Sequence, residues 1–516
     1  MRFLTSIMMF MLLSAGVLAQ VQTPADSVYF LMQNSRILYI TQQNPAALIN
    51  SDIKNTSTIA LNYNNQSGHF RTTQTAENGR EISLTASGIN TLGRFKVSGY
   101  FNFKRTWQDS LSWTLQGLPD LATPYYFAAG KAGSYQRINY NFGGLLTYNL
   151  INNQLYIGSG IDYLFNTASR NTDPRPSVQT FNLNLSPNLT YKIGSQSIAA
   201  RFIYSYGIEN NKVSFKSTQY RNQSGTEYPD RINYLIMGYG LLQGQFGVAR
   251  MRRELKDNGY GLNYALKTQS AYLNADFSYV RHIEKNMESL ENSANTKPYG
   301  TFYLNNYQGS FLVGLHSTNI DHQLYVDVLL QNGSDLNIHE FQGKVNYKYS
   351  QKKASFSYTV LKKSTSSLQT EFGLNATYNK IDKKDISSSI SSTFGYIQPG
   401  ISGAQYKRFK DKSKLSVMLN PAIRVPVGNT ANSAADSNVF FNEIVYPDFN
   451  YWSATAGVLS FTSKYITPLL FKGICSGFSL NAVYTQELSE AKKVYTNSFQ
   501  PSKNRLDFTF SFNLYF

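Results

Sequence analysis

Few side chains in the 516 residues are suited to act as nucleophile, general base or soft metal ligand near neutral pH: five histidines and one cysteine. Asp321-His322 is an adjacent acid–histidine pair, in an expected turn close to His316. A general base needs a partner held within hydrogen-bond reach, and adjacency in a turn does not supply one. His69, His282, His316, His322 and His339 are therefore read as ordinary turn and strand residues. Cys475 lies in a strand pattern with no histidine beside it, and a single cysteine allows no intrachain disulfide. Gly-x-Ser-x-Gly, His-Glu-x-x-His and P-loop spacings are absent. No catalytic, cofactor-binding or metal-binding residue is assigned, and the reading is non-enzymatic. A hydrolase acting at the outer rim of a barrel and a β-rich surface adhesin are the alternatives.

Charge is the more informative chemistry. The net charge is +17, which for a soluble chain would suggest nucleic acid. For an exported chain, the phosphates of membrane lipid and lipopolysaccharide are the expected partners instead, and no nucleic acid. Much of the charge falls in expected connectors, such as Arg250–Arg253, Lys362-Lys363, Lys383-Lys384 and Lys407–Lys414. Other charges alternate with apolar residues. Arg94, Lys96, Lys104, Arg137, Lys192, Arg201, Lys344 and Lys348 are expected to line a lumen, against Asp162, Asp276, Asp327, Glu371 and Asp507. An open lumen with that excess would favour anions. A filled one would use the same residues as buried ion-pair partners.

The elements that position these residues repeat every two residues. Leu506, Phe508, Phe510, Phe512, Leu514 and Phe516 alternate with Asp507, Thr509, Ser511, Asn513 and Tyr515. Successive strand side chains point to opposite faces, so this segment has one apolar and one mostly polar side. The same alternation marks Phe95–Lys104, Arg137–Tyr148, Ile198–Ile208, Phe341–Tyr349, Leu368–Tyr378 and Phe478–Tyr484. Long-range disorder is excluded by 38 Tyr and 33 Phe. A bundle of membrane helices is excluded because no apolar run of about 18 residues follows the N-terminus. Tyr234–Ala249, the best candidate, is broken by Gly238, Gly240, Gln243, Gly244 and Gln245.

Short polar turns are expected at Asn152-Asn153, Gly194–Ser197, Lys267–Ser270 and Gln351–Lys353. Longer connectors are expected at Trp107–Gly133, Thr167–Val178, Asn210–Asp230, Glu284–Tyr299, Pro426–Tyr446 and Leu488–Lys503. Leu241–Asn258 reads as long where a short turn is due. Short turns on one rim and long loops on the other suit an all-β, closed antiparallel transmembrane barrel of about 16–20 strands. Its strands would run to about 9–13 residues, enough to cross a tilted path through a bilayer. Soluble sandwiches alternate in the same way, but their strands are shorter and lack an aromatic girdle.

The first nineteen residues read as an address. Arg2 precedes the apolar run Phe3–Leu13, and Val17-Leu18-Ala19 places acceptable residues for cleavage after Ala19. The expected organisation is a signal peptide over 1–19, an N-terminal periplasmic or plug segment over 20–56, and a barrel over 57–516. Asp26–Asn50 reads as partly helical, with Val28, Leu31, Met32, Ile37, Leu38 and Ile40 apolar.

The signal peptide, the alternating strands and the terminal Asn513-Leu514-Tyr515-Phe516 resemble Gram-negative outer-membrane β-barrels. That resemblance covers nearly the whole mature chain. It implies a cell outer-membrane location and a final strand, carrying Phe512, Leu514 and Phe516, that is read by the barrel-assembly machinery. Gln43-Asn44-Pro45-Ala46-Ala47-Leu48 is similar to the openings of uncharacterised Bacteroidota outer-membrane barrels, and resembles the Asn-Pro-Ala opening of fatty-acid-transporter-like barrels. The latter likeness implies that the N-terminal segment forms a small plug. TonB-dependent receptors also resemble this chain. They need a plug domain of over a hundred residues, whereas strands here begin near Ser57, so energy-coupled transport is not expected. The expected function is a passive pore or uptake path for a small solute, or a scaffold for a surface lipoprotein complex.

Overall fold

A computed structural model describes residues 25–516 apart from 54, 222–226, 290–295, 364–366, 436 and 490–498. The expected signal peptide lies outside the described residues. Three helices come first: α1 (Ala25–Phe30), α2 (Met32–Gln43) and α3 (Pro45–Asn50). The Asn-Pro-Ala run is a helix start. Asn44 Oδ1 accepts from Ala47 N at 3.0 Å and Pro45 takes the first helical position, where its missing N–H costs nothing.

Among the described residues the strands are β1 (Thr56–Gly68), β2 (Asn78–Leu92), β3 (Phe95–Leu111), β4 (Tyr125–Ala128), β5 (Gly133–Ile151), β6 (Leu155–Arg170), β7 (Arg175–Ile193), β8 (Gln196–Ser214), β9 (Asn233–Met237), β10 (Leu242–Gln245) and β11 (Ala249–Lys267). They continue as β12 (Ala271–Glu288), β13 (Lys297–His316), β14 (Ile320–Asn337), β15 (Tyr347–Lys362), β16 (Leu368–Asp385), β17 (Ile390–Arg408), β18 (Lys414–Pro426), β19 (Thr430–Asn432), β20 (Ala456–Phe471), β21 (Ile474–Glu487) and β22 (Asn504–Tyr515). A helix, α4 (Tyr446–Ser453), lies between β19 and β20. All but β4, β9, β10 and β19 form one 18-stranded antiparallel barrel. Closure is made by β1 against β22, from Thr58 opposite Tyr515 to Gly68 opposite Arg505. Every wall strand therefore has two paired neighbours, which is the condition for a sheet to sit in hydrocarbon.

The two rims differ. One carries short turns, such as Gly93-Arg94 and Asn152–Gln154, where Asn152 and Asn153 adopt φ of +38° and +61°. Asparagine tolerates that left-handed region, which matches the twist of a tight hairpin. The other rim carries long connections, and residues 113–129, 233–242 and 440–452 of them fold into the bore. β4, β9 and β10 form a separate three-stranded sheet from two of these connections.

Exposed apolar side chains face outward. Phe372 is 64% exposed, Ile193 63% and Leu61 53%, and each lies on the face opposite the buried inward residues of its strand. On β3 the exterior runs from Phe95 to Arg105, the first exterior charge. Ten residue steps of about 3.4 Å at a tilt of about 45° give about 24 Å, close to the height of an outer-membrane apolar band. Strands of up to 20 residues, longer than expected, stand above this band on the long-loop side.

That extension overturns several sequence expectations. Gln351–Lys353 is not a turn but the middle of β15. Phe341–Val345 is not strand, since β15 begins at Tyr347. Leu241–Asn258 is not one connector, because β10 and the first half of β11 occupy it. Arg250–Arg253 and Lys383-Lys384 lie in β11 and β16 rather than in loops. Above the lipid band the outside of the wall meets water, so polar residues there no longer signal a turn.

Candidate functional site: a polar chamber between two plugs

The bore is packed at both ends. At the short-turn end, α1–α3 lie across it. Tyr29, Phe30, Leu38 and Leu48 pack with Ile89, Leu145, Leu361, Tyr406, Ile466 and Tyr515 from six different strands. Polar bonds tie the helices around the circumference. Arg36 donates to Gln323 Oε1 at 3.1 Å and Ser357 Oγ at 3.3 Å, with its guanidinium over the Tyr325 ring. Gln33 donates to Thr359 Oγ1 at 3.0 Å and its carbonyl accepts from Gln323 at 3.1 Å. Lys96 Nζ donates to the Ser51 carbonyl at 2.6 Å, Ser98 to that of Gln42 at 3.0 Å, and Lys464 to that of Tyr29 at 2.8 Å.

At the long-loop end, the β4–β9–β10 sheet is wedged between two apolar clusters. One face meets Phe302, Tyr347, Tyr349, Ile381, Phe394 and Phe440. The other meets Tyr135, Val213, Met251 and Tyr299. Two fully buried carboxylates latch this sheet to the wall. Asp335 accepts from Tyr125 Oη at 2.8 Å and from the backbone N–H groups of Asn346 and Tyr347 at 2.9 and 2.6 Å. Asp385 accepts from the Tyr239 N–H at 2.7 Å and the Ser388 N–H at 2.9 Å. Gly300 permits the approach: a Cβ there would stand 2.0 Å from Tyr125 Oη.

A third attachment is ionic. Arg253 bridges Glu209 at 3.0 Å and Glu284 at 2.7 Å, with all three side chains at most 6% exposed. Glu284 also accepts from Thr123 of the plug connection at 2.7 Å. Arg137 donates to the carbonyls of Gln116 and Gly117, and Asn211 to that of Leu115. The loop at 69–77 is held by Asp448 of α4, which accepts from the Thr73 N–H at 2.8 Å. Burial pushes the Asp448 carboxyl up to about 6, and burial also lowers the Arg71 guanidinium to about 10.

Between the plugs the inward faces carry polar and charged side chains. Asp162 and Lys353 are exposed although they point into the bore, so water reaches the middle of the lumen. Tyr100 donates to Asp162 at 2.6 Å. Lys104 meets Glu81 at 3.6 Å, Arg201 meets Asp276 at 3.0 Å, and His282 meets Asp257 at 2.6 Å. Asp507 accepts from Asn64 and Gln66 at 2.6 and 2.7 Å. Along this stretch the inward cations are Lys104, Arg201, Lys353 and Arg505, and the inward carboxylates are Glu81, Asp162, Asp257, Asp276, Asp327 and Asp507. The described chamber is therefore acidic.

This corrects the expected positive lumen. Lys96, Lys104, Arg137, Lys192 and Arg201 lie on inward faces. Arg94 does not line the bore, because it sits exposed in the Gly93-Arg94 turn. Lys344 lies exposed in the connection before β15. Lys348 points outward, since Tyr347 and Tyr349 take the inward face against the plug. All five expected acids, Asp162, Asp276, Asp327, Glu371 and Asp507, are on inward faces, and Glu371 accepts from Tyr406 beside α2 at 3.1 Å. Phe512 and Leu514 face outward on β22, and the Phe516 N–H donates to the Ser57 carbonyl at 2.9 Å.

Asp321 and His322 point to opposite faces of β14. Asp321 meets His316 at 3.0 Å and Lys363 at 2.7 Å across the short-turn rim, while His322 bonds Tyr358 on the outside. Among the described residues no three His, Cys, Asp or Glu side chains gather as a metal site would require. The Glu209–Arg253–Glu284 hub was not legible in the sequence. The charge cluster at 250–253 was visible, but its inward member could not be told from its outward ones.

Residues 45–516 match the family described as "Family of unknown function (DUF6850)", and the chain belongs to that family. No curated protein matches the sequence. Solved structures with a similar fold include the siderophore receptor PiuA from Acinetobacter baumannii, at 8% identity over 90% of this chain and 82% of that one, with a TM-score of 0.38. The ferric citrate transporter FecA in its unliganded form is 9% identical over 90% and 79%, with a TM-score of 0.39. A FadL homologue from Pseudomonas aeruginosa is 13% identical over 92% and 93%, with a TM-score of 0.32. The likeness is one of fold alone.

Proposed function

We propose that this member of the family is a non-enzymatic outer-membrane barrel providing a gated path for a small hydrophilic solute, with both gates closed in the state described. The reading includes export by a cleaved signal peptide and assembly guided by the terminal strand with Phe512, Leu514 and Phe516. Short turns would face the periplasm and long loops the exterior. The observation that carries it is the wet, acidic stretch of bore between two separate plugs. Each plug is seated in apolar clusters and tied to the wall by hydrogen bonds and ion pairs, and these polar ties can exchange for water when a plug moves. The excess of carboxylates favours a neutral or cationic solute over an anionic one.

Planar-bilayer recording tests this. The unaltered chain should be silent most of the time, with brief openings. Asp335→Asn/Asp385→Asn together with Arg36→Ala should give frequent cation-preferring steps. Anion preference would contradict the assignment of the chamber. The scaffold reading, a plugged barrel that holds a surface lipoprotein, is favoured by the packing at both ends, and complete silence of the unaltered chain would support it instead.

A further inference from the structure

The outer face of β15 and β16 carries an arrangement that the solute path does not use. Lys352 stands directly opposite Lys380, and Lys348 directly opposite Lys384. The rung between them pairs Ser350 with Asp382. Like charges directly opposite on one face of a sheet repel. Asp382 is the one acid in this group of side chains, 3.8 Å from Lys380 and bonded to Ser350 and Thr393. Among the described residues Lys348, Lys352 and Lys384 have no ion-pair partner, and all three are exposed. Four cations thus share one carboxylate on a rigid strand pair.

Their height on the wall identifies what would relieve the repulsion. The rung just below Lys352 and Lys380 is Ala354 with Tyr378, followed by exposed Phe356 with Ala376, the top of the lipid-facing band. The lysines therefore begin where hydrocarbon ends, at headgroup level. The two lysine rungs are four residues apart, about 13 Å at the usual rise per residue. That separation suits two phosphates spaced by a disaccharide better than a single anion. Asp382, Ser350 and Thr393 in between can bond sugar hydroxyls.

We propose that Lys348, Lys352, Lys380 and Lys384 form a binding site for a bis-phosphorylated glycolipid of the outer leaflet, one phosphate at each lysine rung. The site rests on the outer-membrane placement and not on the solute path. Each lysine beside an anionic headgroup is worth about fivefold in affinity.

The test is native mass spectrometry of the full chain in detergent, titrated with bis-phosphorylated lipid A, with its singly phosphorylated form, and with inorganic pyrophosphate as competitor. Lys348→Gln/Lys352→Gln/Lys380→Gln/Lys384→Gln should lose binding by more than a hundredfold, roughly fivefold per lysine. The singly phosphorylated lipid should bind about 25-fold more weakly, the share of one lysine rung. The corresponding four-Arg variant should bind as the unaltered chain does, and Arg250→Gln/Arg252→Gln should not change binding. Equal binding by the four-Gln variant overturns the site. Pyrophosphate competing as well as the lipid assigns the lysines to a free anion and also overturns it. Heat-modifiable gel mobility and flotation with lipid vesicles keep the outcomes distinct. Failure of the unaltered chain in both refutes the outer-membrane placement, whereas normal behaviour without lipid binding refutes the site alone.

Discussion

Replacing Arg253 by Met tests how the long-loop plug is held. Arg253 is the single cation between Glu209 and Glu284, at 3.0 and 2.7 Å, in surroundings where none of the three side chains is more than 6% exposed. Glu209 lies on β8, Arg253 on β11 and Glu284 on β12, and Thr123 of the plug connection bonds the last. Removing the guanidinium leaves two buried carboxylates uncompensated, a cost of about 3–5 kcal/mol. With a urea m-value of about 2–3 kcal/mol/M, the midpoint should fall by about 1–2.5 M. Tryptophan fluorescence reports the event, because Trp113 stacks on Tyr234 of the plug and Trp452 on Tyr396 nearby. The triple variant Glu209→Gln/Arg253→Met/Glu284→Gln should recover most of the loss, since neutral side chains no longer need the cation. A loss below about 1 kcal/mol in the single variant would refute the reasoning, as would a triple variant no better than the single one.

Three further outcomes are expected. Asp448 has its carboxyl raised by burial to about 6, above the unfolded value, so its contribution is fully present below about pH 4 and is lost as pH rises through about 6. Asp448→Asn should therefore flatten the rise in plug stability between pH 7 and pH 5, measured by the same fluorescence transition. Gly300→Val should displace the β4–β9–β10 sheet, because its Cβ would meet Tyr125 Oη; limited proteolysis should then cut within 112–132 in the variant and not in the unaltered chain. Arg36→Ala breaks two bonds to the wall, at about 1 kcal/mol each, and should increase hydrogen exchange in α2 while leaving the barrel amides protected.

Strands whose whole length lies in lipid were legible from alternation. From Leu506 to Leu514 each outward residue of β22 is apolar and its inward neighbours are mostly polar, because one side meets hydrocarbon and the other a wet bore. β15 was misread for the opposite reason. Its lower half obeys that rule through Phe356, but above the lipid band the outside meets water and the inside meets a packed plug. Tyr347 and Tyr349 therefore turn inward, Lys348 turns outward, and the polarity of the faces inverts within one strand. The same inversion made Gln351–Lys353 look like a turn. β9 was hidden differently: Tyr234–Ala249 is apolar enough for a wall strand, yet Asn233–Met237 pairs only with β4 and β10 inside the bore. Alternation does not say which sheet a strand joins. The acidic chamber was half visible, since Asp162, Asp276, Asp327 and Asp507 lay on strand faces that do point inward, while Asp257 fell in an expected connector and Lys344 and Lys348 were counted in from a segment whose facing was wrong.

The central claim is that hydrocarbon touches the outside of the wall and water fills its middle. It is tested most directly by nitroxide accessibility at neighbouring positions of β16 in lipid vesicles, in a Cys475→Ser background. Leu374 is 56% exposed on the outer face, and Asn375 faces the bore. A label on Leu374→Cys should be relaxed by oxygen and shielded from a water-soluble nickel complex. A label on Asn375→Cys should show little oxygen relaxation. Equal oxygen relaxation at the two positions, or the reverse order, would contradict the barrel account.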